Sequence, residues 1–537
     1  MISFSLWAEP WIPVQMADGV VVKKSLPDVL MGAHLIRGIL DPSPLVTVAL
    51  HRLLLALLYR SHALDDFNQW RTVWQTGHLD AGTLVRYGER MEDRFDLLHP
   101  SRPLYQVASL PEEKEHPVAD LLLEAAHGNN PTLFDHGQVE GSQEIPLDRA
   151  ACYLVALQLF AIGGGVSKPF NRMDAPLAKG IVVEVIGATL FETLMLNAIP
   201  MESWDRLVPP SRMDMPFWEE EVPVAPSKEG TPIRGPLHYL TWQSRRVQLL
   251  VDRSRGAVTG CKIAQRYCLP KDGNRLDPGK AYVRDEKQGW VARRLQKDRA
   301  AWRLTHVLLQ PTDEKDTRPE VVSWLAALRR HEALGHIKLP AAVSLAVSGL
   351  TTDPTRAAKI ELWRREEVGL PLTILERPDL VVELEHMMSV ASAVERHLRR
   401  TGEALLWSLA EGVHQREALQ YLWTGKGKMP PTISGMAQSL GLTLRYWAAM
   451  ERPFRTALWT LSEHDIDAHL AEWSEALKQN AISAFTAVLE GLKAGGSPWE
   501  PLSVMEDAFR RRLSWLVKRG EGEVEGDEHV SEDGSDH

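Results

Sequence analysis

The spacing of apolar residues changes character at Pro378, so the chain cannot be one uniform architecture. Beyond that point Trp473, Leu477, Ala481, Phe485, Val488 and Leu492 recur at three- and four-residue steps, the spacing of a helix that buries one face. Helices are expected over 380–400, over 438–461 with a kink at Pro453, over 466–493 and over 501–517. Four such helices point to a bundle. Before Pro378 no single period rules. Ile2, Phe4 and Leu6 alternate with Ser3 and Ser5, and a second run at 20–22 completes a small β element. Ser25 is placed to cap a helix entered at Leu26 and Pro27, and helical periodicity returns over 45–59 and 148–162. Prolines and acids cluster over 200–236, too broken for a long helix or a central strand. The expected class is α+β. A mixed N-terminal domain with small sheets and helices takes 1–378, including the proline-rich connection. A C-terminal four-helix bundle takes 379–517, and 518–537 reads as an acidic disordered tail.

Composition narrows the function classes. With 44% hydrophobic and 25% charged residues, the 537-residue chain is not disordered in bulk. Cys152, Cys261 and Cys268 are too few and too irregularly spaced for a disulfide framework or a structural zinc site, which fits a cytoplasmic location. The most apolar stretch, 45–58, is broken by His51 and Arg52, so neither a membrane span nor an export signal is expected. The chain has no G-x-x-x-x-G-K-[ST], no G-x-S-x-G and no H-E-x-x-H. Its 19 histidines are scattered. No catalytic residue, metal site or cofactor is expected, and the chain is read as a non-enzyme.

Charge is distributed unevenly. Of the net −10, the eight acids after Gly520 carry −8, leaving −2 for the rest. Over 242–303, sixteen Lys or Arg stand against six acids, a balance of +10. Such a segment either binds a polyanion or forms a solvated face balanced by acids elsewhere. The most unusual local run is Gly163-Gly164-Gly165-Val166-Ser167-Lys168-Pro169-Phe170-Asn171-Arg172. Three glycines let backbone amides approach a phosphate or a base edge, or they simply stop the preceding helix. Arg245 and Arg246 either touch phosphate or sit on a strand with Trp242, Val247 and Leu249 and face solvent or an acid.

Several pieces together resemble the CasA family, the large subunit of the type I-E CRISPR Cascade surveillance complex. They are Glu9-Pro10-Trp11-Ile12-Pro13-Val14, Asn129-Asn130-Pro131-Thr132-Leu133-Phe134-Asp135-His136, the glycine run with Asp174-Ala175-Pro176, and Thr189-Leu190-Phe191-Glu192-Thr193-Leu194. Leu240-Thr241-Trp242-Gln243-Ser244-Arg245-Arg246 and Lys359-Ile360-Glu361-Leu362-Trp363-Arg364-Arg365-Glu366 extend the match over about 1–517. The resemblance implies a subunit that recognises the protospacer-adjacent motif in target double-stranded DNA, helps open the duplex and recruits a nuclease-helicase. Guide RNA and other Cascade subunits are the further implied partners, with no membrane.

Residue by residue, it implies a minor-groove loop at Gly163, Gly164, Gly165, Ser167, Lys168 and Asn171, because backbone without side chains fits a groove about 6 Å wide. It implies a basic groove contact at Lys262 or Arg266 and a DNA wedge at Thr352, Asp353, Pro354, Thr355, Arg356 and Lys359. It also implies a loop touching guide RNA and DNA at Asn129, Asn130, Thr132, Leu133 and Phe134. The wedge segment lacks the family's glutamine and is about two residues longer. Some members carry a four-cysteine zinc site, which the cysteines here do not match. A different class of function, a protein-interaction scaffold of the ribonucleoprotein without direct motif reading, is the alternative.

Overall fold

A computed structural model describes residues 3–124, 144–221, 225–271, 274–310, 315–353, 360–410, 415–427, 429–461 and 466–520. It divides into two compact units, Met1–Glu376 and Arg377–His537. The class is α+β, with small sheets in the first unit and helices in the second.

In the first unit, β1 (Ile12–Met16) pairs antiparallel with β2 (Val21–Lys24) and β3 (Ile36–Ile39). The alternation, described from residue 3 onward, forms no strand over 3–6. The Asp96 carboxylate accepts from Ser3 Oγ and the Phe4 amide, the Leu6 amide donates to the Phe95 carbonyl and the Leu97 amide to the Phe4 carbonyl, which leaves one isolated bridge from Ser5 to Asp96. Ser25 caps the short helix Leu26–Met31, as its position suggests. The apolar stretch becomes α1 (Pro44–His62), long and apolar enough to cross a membrane, yet fifteen of its residues are buried inside this unit. Beside it packs α2 (Leu147–Phe160). Trp11, Trp70, Trp204, Trp242 and Trp302 fill the core, all of them fully buried.

Further along, β4 (Val182–Ile186) joins a sheet completed late in the chain. The hairpin of β5 (Arg245–Asp252) and β6 (Ala257–Gln265) carries the short strands His116–Pro117 and Ile145–Pro146 on the outer edge of β6. A smaller hairpin, β7 (Tyr282–Asp285) and β8 (Gly289–Ala292), follows. The long strands β9 (Ala342–Thr352) and β10 (Ile360–Pro371) then pair along their whole length. Because β4 pairs only with Ser344–Ser348 of β9, the hairpin runs on past the sheet as a two-stranded ribbon. The proline-rich connection forms short 3-10 turns at Met201–Arg206 and Phe217–Glu219.

The second unit consists of α3 (Pro378–Ala410), two shorter helices at Gln415–Thr424 and Pro431–Ser439, then α4 (Leu442–Thr460), α5 (Ile466–Ala494) and α6 (Trp499–Gly520). Helix α3 packs against every other helix described in this unit. The stripe from Trp473 to Val488 is buried, with Leu492 half-buried at its end. Phe485 meets Phe509 of α6 at 4.5 Å between ring centres. Helix α4 continues through Pro453, although a proline there removes one backbone hydrogen bond.

Candidate nucleic-acid interface

The glycine run leaves α2 as a closed loop, not as a simple helix stop. The Gly163 amide donates to Asp174 Oδ1 at 2.7 Å, the Gly164 amide to the Arg172 carbonyl at 2.8 Å, and the Arg172 amide to the Gly165 carbonyl at 3.3 Å. Gly164 and Gly165 have φ of 112° and 80°, left-handed backbone that side chains resist. A Cβ at Gly163 would lie 3.1 Å from both the amide nitrogen and Oδ1 of Asp174, so here crowding rather than φ demands glycine. The tip is outside: Gly164, Gly165, Val166, Lys168 and Asn171 are all exposed.

Buried polar side chains at the ends of β5 and β6 hold this loop. Gln265 is fully buried; its backbone amide donates to Ser167 Oγ at 2.9 Å, and its Oε1 accepts from the Met173 amide at 2.7 Å and from Arg245 Nη1 at 3.0 Å. Arg245 also donates from Nη2 to the Ile162 carbonyl at 2.9 Å. Burial, and then the neighbouring Arg172, work against the Arg245 charge while Asp174 supports it. Gln158 of α2 completes the frame, its Oε1 accepting from the Arg245 amide and its Nε2 donating to the Arg245 carbonyl. Loop residues 162, 167 and 173 are thereby fixed before any ligand arrives, the preorganisation that a binding loop requires.

The sequence-derived candidates are therefore not equivalent. Ser167 faces inward and is a strut, whereas Lys168 and Asn171 present side chains to solvent. Arg246 is half-buried, paired with Glu112 at 2.9 Å and bonded to the Lys168 carbonyl at 2.7 Å. Neither arginine of that pair faces solvent freely. Lys262 is half-buried on β6, opposite Gln248. Arg266 is buried, 8% exposed, and lies 4.9 Å over the Tyr267 ring. Thr352 and Asp353 sit half-buried where the β9–β10 ribbon ends, with Thr352 still paired to Ile360. Pro354, Thr355, Arg356 and Lys359 lie outside the described residues, as do Asn129, Asn130, Thr132, Leu133 and Phe134.

The basic stretch is not one continuous face. Arg245, Arg266, Lys280 and Arg303 are buried. Arg246, Arg255 and Arg293 pair with Glu112, with Asp252 and Glu144, and with Asp316. The remainder includes a cleft of about 720 Å³ that begins at Met173 and Asp174, directly after the loop. Lys179, Lys271, Lys287 and Arg294 line it with exposed charges, and Trp290 stands among them. Among the described residues Asp174 is the one carboxylate of that lining, and Lys179 pairs with it at 2.6 Å. Sequence reasoning missed Lys179 and Trp290, and also Gln158, whose lone polarity inside an otherwise apolar helical run was the available signal.

Comparison with known proteins gives this arrangement a context. The sequence profile of the family described as CRISPR-associated protein Cse1 matches residues 5–484. The chain belongs to the Cse1 family. The CRISPR-associated protein CasA/Cse1 of Thermus thermophilus is 32% identical, with 96% of this chain and 98% of the relative covered. Crystal structures agree on the fold. Cse1 from Acidimicrobium ferrooxidans superposes with a TM-score of 0.79 at 23% identity, over 97% of this chain and 99% of that one. A chain from a CRISPR RNA-guided surveillance complex superposes with a TM-score of 0.70 at 19% identity, over 96% and 100%. Among the described residues no group of three or more His, Cys, Asp or Glu is placed to hold a metal. The three cysteines are buried thiols, and Cys268 donates to the Ser227 carbonyl at 3.0 Å.

Proposed function

We propose that this chain is the large subunit of an RNA-guided CRISPR surveillance complex, and that its glycine loop reads the protospacer-adjacent motif from the minor groove of target DNA. The observation that carries this reading is the rigid, exposed tip at Gly164 and Gly165, braced from below by Gln265 and Arg245. A minor groove about 6 Å wide admits backbone and short side chains, and Lys168 and Asn171 flank the tip to meet phosphate and base edges. The basic cleft from Lys179 to Arg294 continues the path of a duplex backbone. The ribbon ending at Thr352 and Asp353 is the wedge beside the motif, opening the first base pairs while guide RNA pairing reads the rest. The subunit works by binding, with no bond made or broken on it, and its second unit docks neighbouring subunits and positions the nuclease-helicase. Exposed Trp423, Trp459, Trp499 and Trp515 on that unit support a docking role.

The test uses Lys168→Ala and Asn171→Ala in the assembled complex, because neither side chain holds the loop together. Discrimination between correct and incorrect motifs should fall by about 1–3 kcal/mol where a base edge is no longer read, with melting unchanged. Replacing Lys271 and Lys287 should weaken all duplexes alike and lower the salt slope by about one for each phosphate no longer neutralised. Unchanged motif preference together with failed assembly would instead favour the scaffold role.

A further inference from the structure

Away from the glycine loop, a second cleft of about 290 Å³ opens between the loop 101–108 and the turn at Phe217–Glu219. At its floor lie Arg266 and Gln243, 8% and 3% exposed. Among the described residues no carboxylate stands within ion-pair distance of Arg266, whose guanidinium meets only the Tyr267 ring at 4.9 Å and the Tyr267 hydroxyl at 3.5 Å. Gln243 Oε1 is buried with no hydrogen-bond partner. The adjacent Glu220 carboxylate is already engaged by Arg234 and 3.4 Å from the Tyr267 hydroxyl. At the rim, Arg94 and Arg102 share Glu221 at 2.6 and 3.6 Å, a side chain 70% exposed and free to swing out, and Arg94 also meets the exposed Asp93 at 3.9 Å. Val222, Pro223 and Val224, which follow it, carry no charge.

A buried guanidinium without a counter-charge is costly, and a buried acceptor without a donor adds to that cost. One ligand cures both. We propose that this cleft binds an organic phosphate monoester. Three arginines against Glu221 and Asp93, with Glu220 neutralised by Arg234, leave a net +1, which matches the monoanion of such a group, whose second ionisation lies at about pH 6. That monoanion keeps one P–OH, and its hydroxyl supplies the donor that Gln243 Oε1 lacks; an ionised carboxylate has none. The planar fork of Arg266 suits phosphate oxygens. The cleft exceeds a bare phosphate, so a sugar-sized substituent fits between Phe217 and the 101–108 loop.

The experiment is calorimetric titration and thermal shift on the full chain with adenosine 5′-monophosphate, inorganic phosphate and sulfate in turn. The nucleotide should bind and raise the melting temperature, with phosphate weaker and sulfate, which has no proton at neutral pH, weakest. Arg266→Gln should weaken nucleotide binding by about tenfold or more without lowering the unliganded melting temperature. Gln243→Glu should abolish binding and raise that melting temperature, because it supplies Arg266 with its missing partner. Absence of any shift up to about 10 mM nucleotide overturns the proposal, as does equal binding by wild type and both variants. Phosphate binding as tightly as the nucleotide overturns the assignment to an ester.

Discussion

In the first unit Arg52 meets Asp277 at 2.7 Å with side chains 7% and 1% exposed, whereas in the second the buried Glu403 is met mainly by hydroxyls, Tyr421 at 2.6 Å and Ser434 at 3.1 Å. The first unit adds a second buried set, Glu184 between His51 at 2.8 Å and Arg365 at 2.5 Å. Burial alone would raise the Glu184 carboxyl, yet His51 and Arg365 hold it well below the usual carboxylate range. The mixed unit joins elements distant in sequence, such as α1 to β4 and to the Asp277 loop, and uses charges whose partners must all be in place. The helical unit needs no such pins. Its stripes pack by periodicity, and among the described residues the one ion partner of Glu403, Arg399, is 48% exposed and remains solvated.

That contrast breaks most visibly if one buried ion is removed. Arg52→Met strands Asp277 beside Tyr239 and Lys280, and unfolding free energy of the first unit should fall by about 3–5 kcal/mol. Glu403→Gln keeps an amide oxygen for the Tyr421 hydroxyl, and the second unit should lose about 1 kcal/mol. Urea unfolding followed by hydrogen exchange assigns each loss to its unit. Equal losses would show that the two units do not differ as their buried groups suggest.

Acid sharpens the comparison with a smaller effect. Burial, then Arg234 and Arg266, lower His238 from 6.5 to about 3; burial, then Arg299 and Arg293, lower His306 to about 4. In the second unit burial is the main cause that lowers His397 to about 4, opposed by its bond to the Phe509 carbonyl. Each of these folded values lies below the unfolded one, so the stability is complete above pH 6.5 and is lost as pH falls toward the folded value. The loss is about 1.4 kcal/mol per pH unit for each histidine. Between pH 6 and 4.5 the His238 and His306 contributions should therefore be lost about twice as steeply as that of His397, with the lowered His62 and His331 adding to the decline of the first unit and the raised Glu124 and Asp214 opposing it. Glu184 acts in a lower window, keeping its contribution above its unfolded value of 4.5 and losing it as pH drops through its depressed folded one. Melting temperatures of both transitions across that range provide the check.

These two buried sets also mark where sequence reading stops. The stripe from Trp473 onward and the break at Pro378 are local patterns, and the helices α3 to α6 follow from them. His51 and Arg52 were legible only as polar interruptions of an apolar run. Their partners Glu184 and Asp277 lie 133 and 225 residues away, a separation that periodicity cannot bridge. The same holds at the candidate site. Three consecutive glycines announce a special backbone, but of the residues that fix it Gln265 carries no signal, and Arg245, inside the charged stretch, reads equally as a phosphate contact and as a strand residue facing solvent or an acid. Arg266 was legible as positive charge and not as buried charge. Its burial depends on Tyr267 and on the 101–108 loop, which only the fold brings together.

The smallest effect concerns the glycines themselves and asks how rigid that fixed backbone is. Gly165 has a φ of 80°, and a Cβ there would sit 3.3 Å from Arg172 Nη2, whereas Gly19 has a φ of 89° with nothing within 4 Å. Gly19→Ala thus reports the backbone cost alone, about 1 kcal/mol. Gly165→Ala should cost the same plus a few tenths, since a guanidinium arm at 3.3 Å can yield by that much. The loop variant should consequently melt lower even without DNA, so binding changes at Gly164 or Gly165 can be read only after correction for folding. Lys168→Ala, whose side chain carries no strut, provides the uncorrected comparison. If Gly165→Ala melted like wild type while Gly19→Ala did not, the loop would be relaxing around the new side chain. Bracing by Gln265 and Arg245 would then be too weak to hold a groove-reading tip in place, and the polar pins of the first unit would count for less than their burial implies.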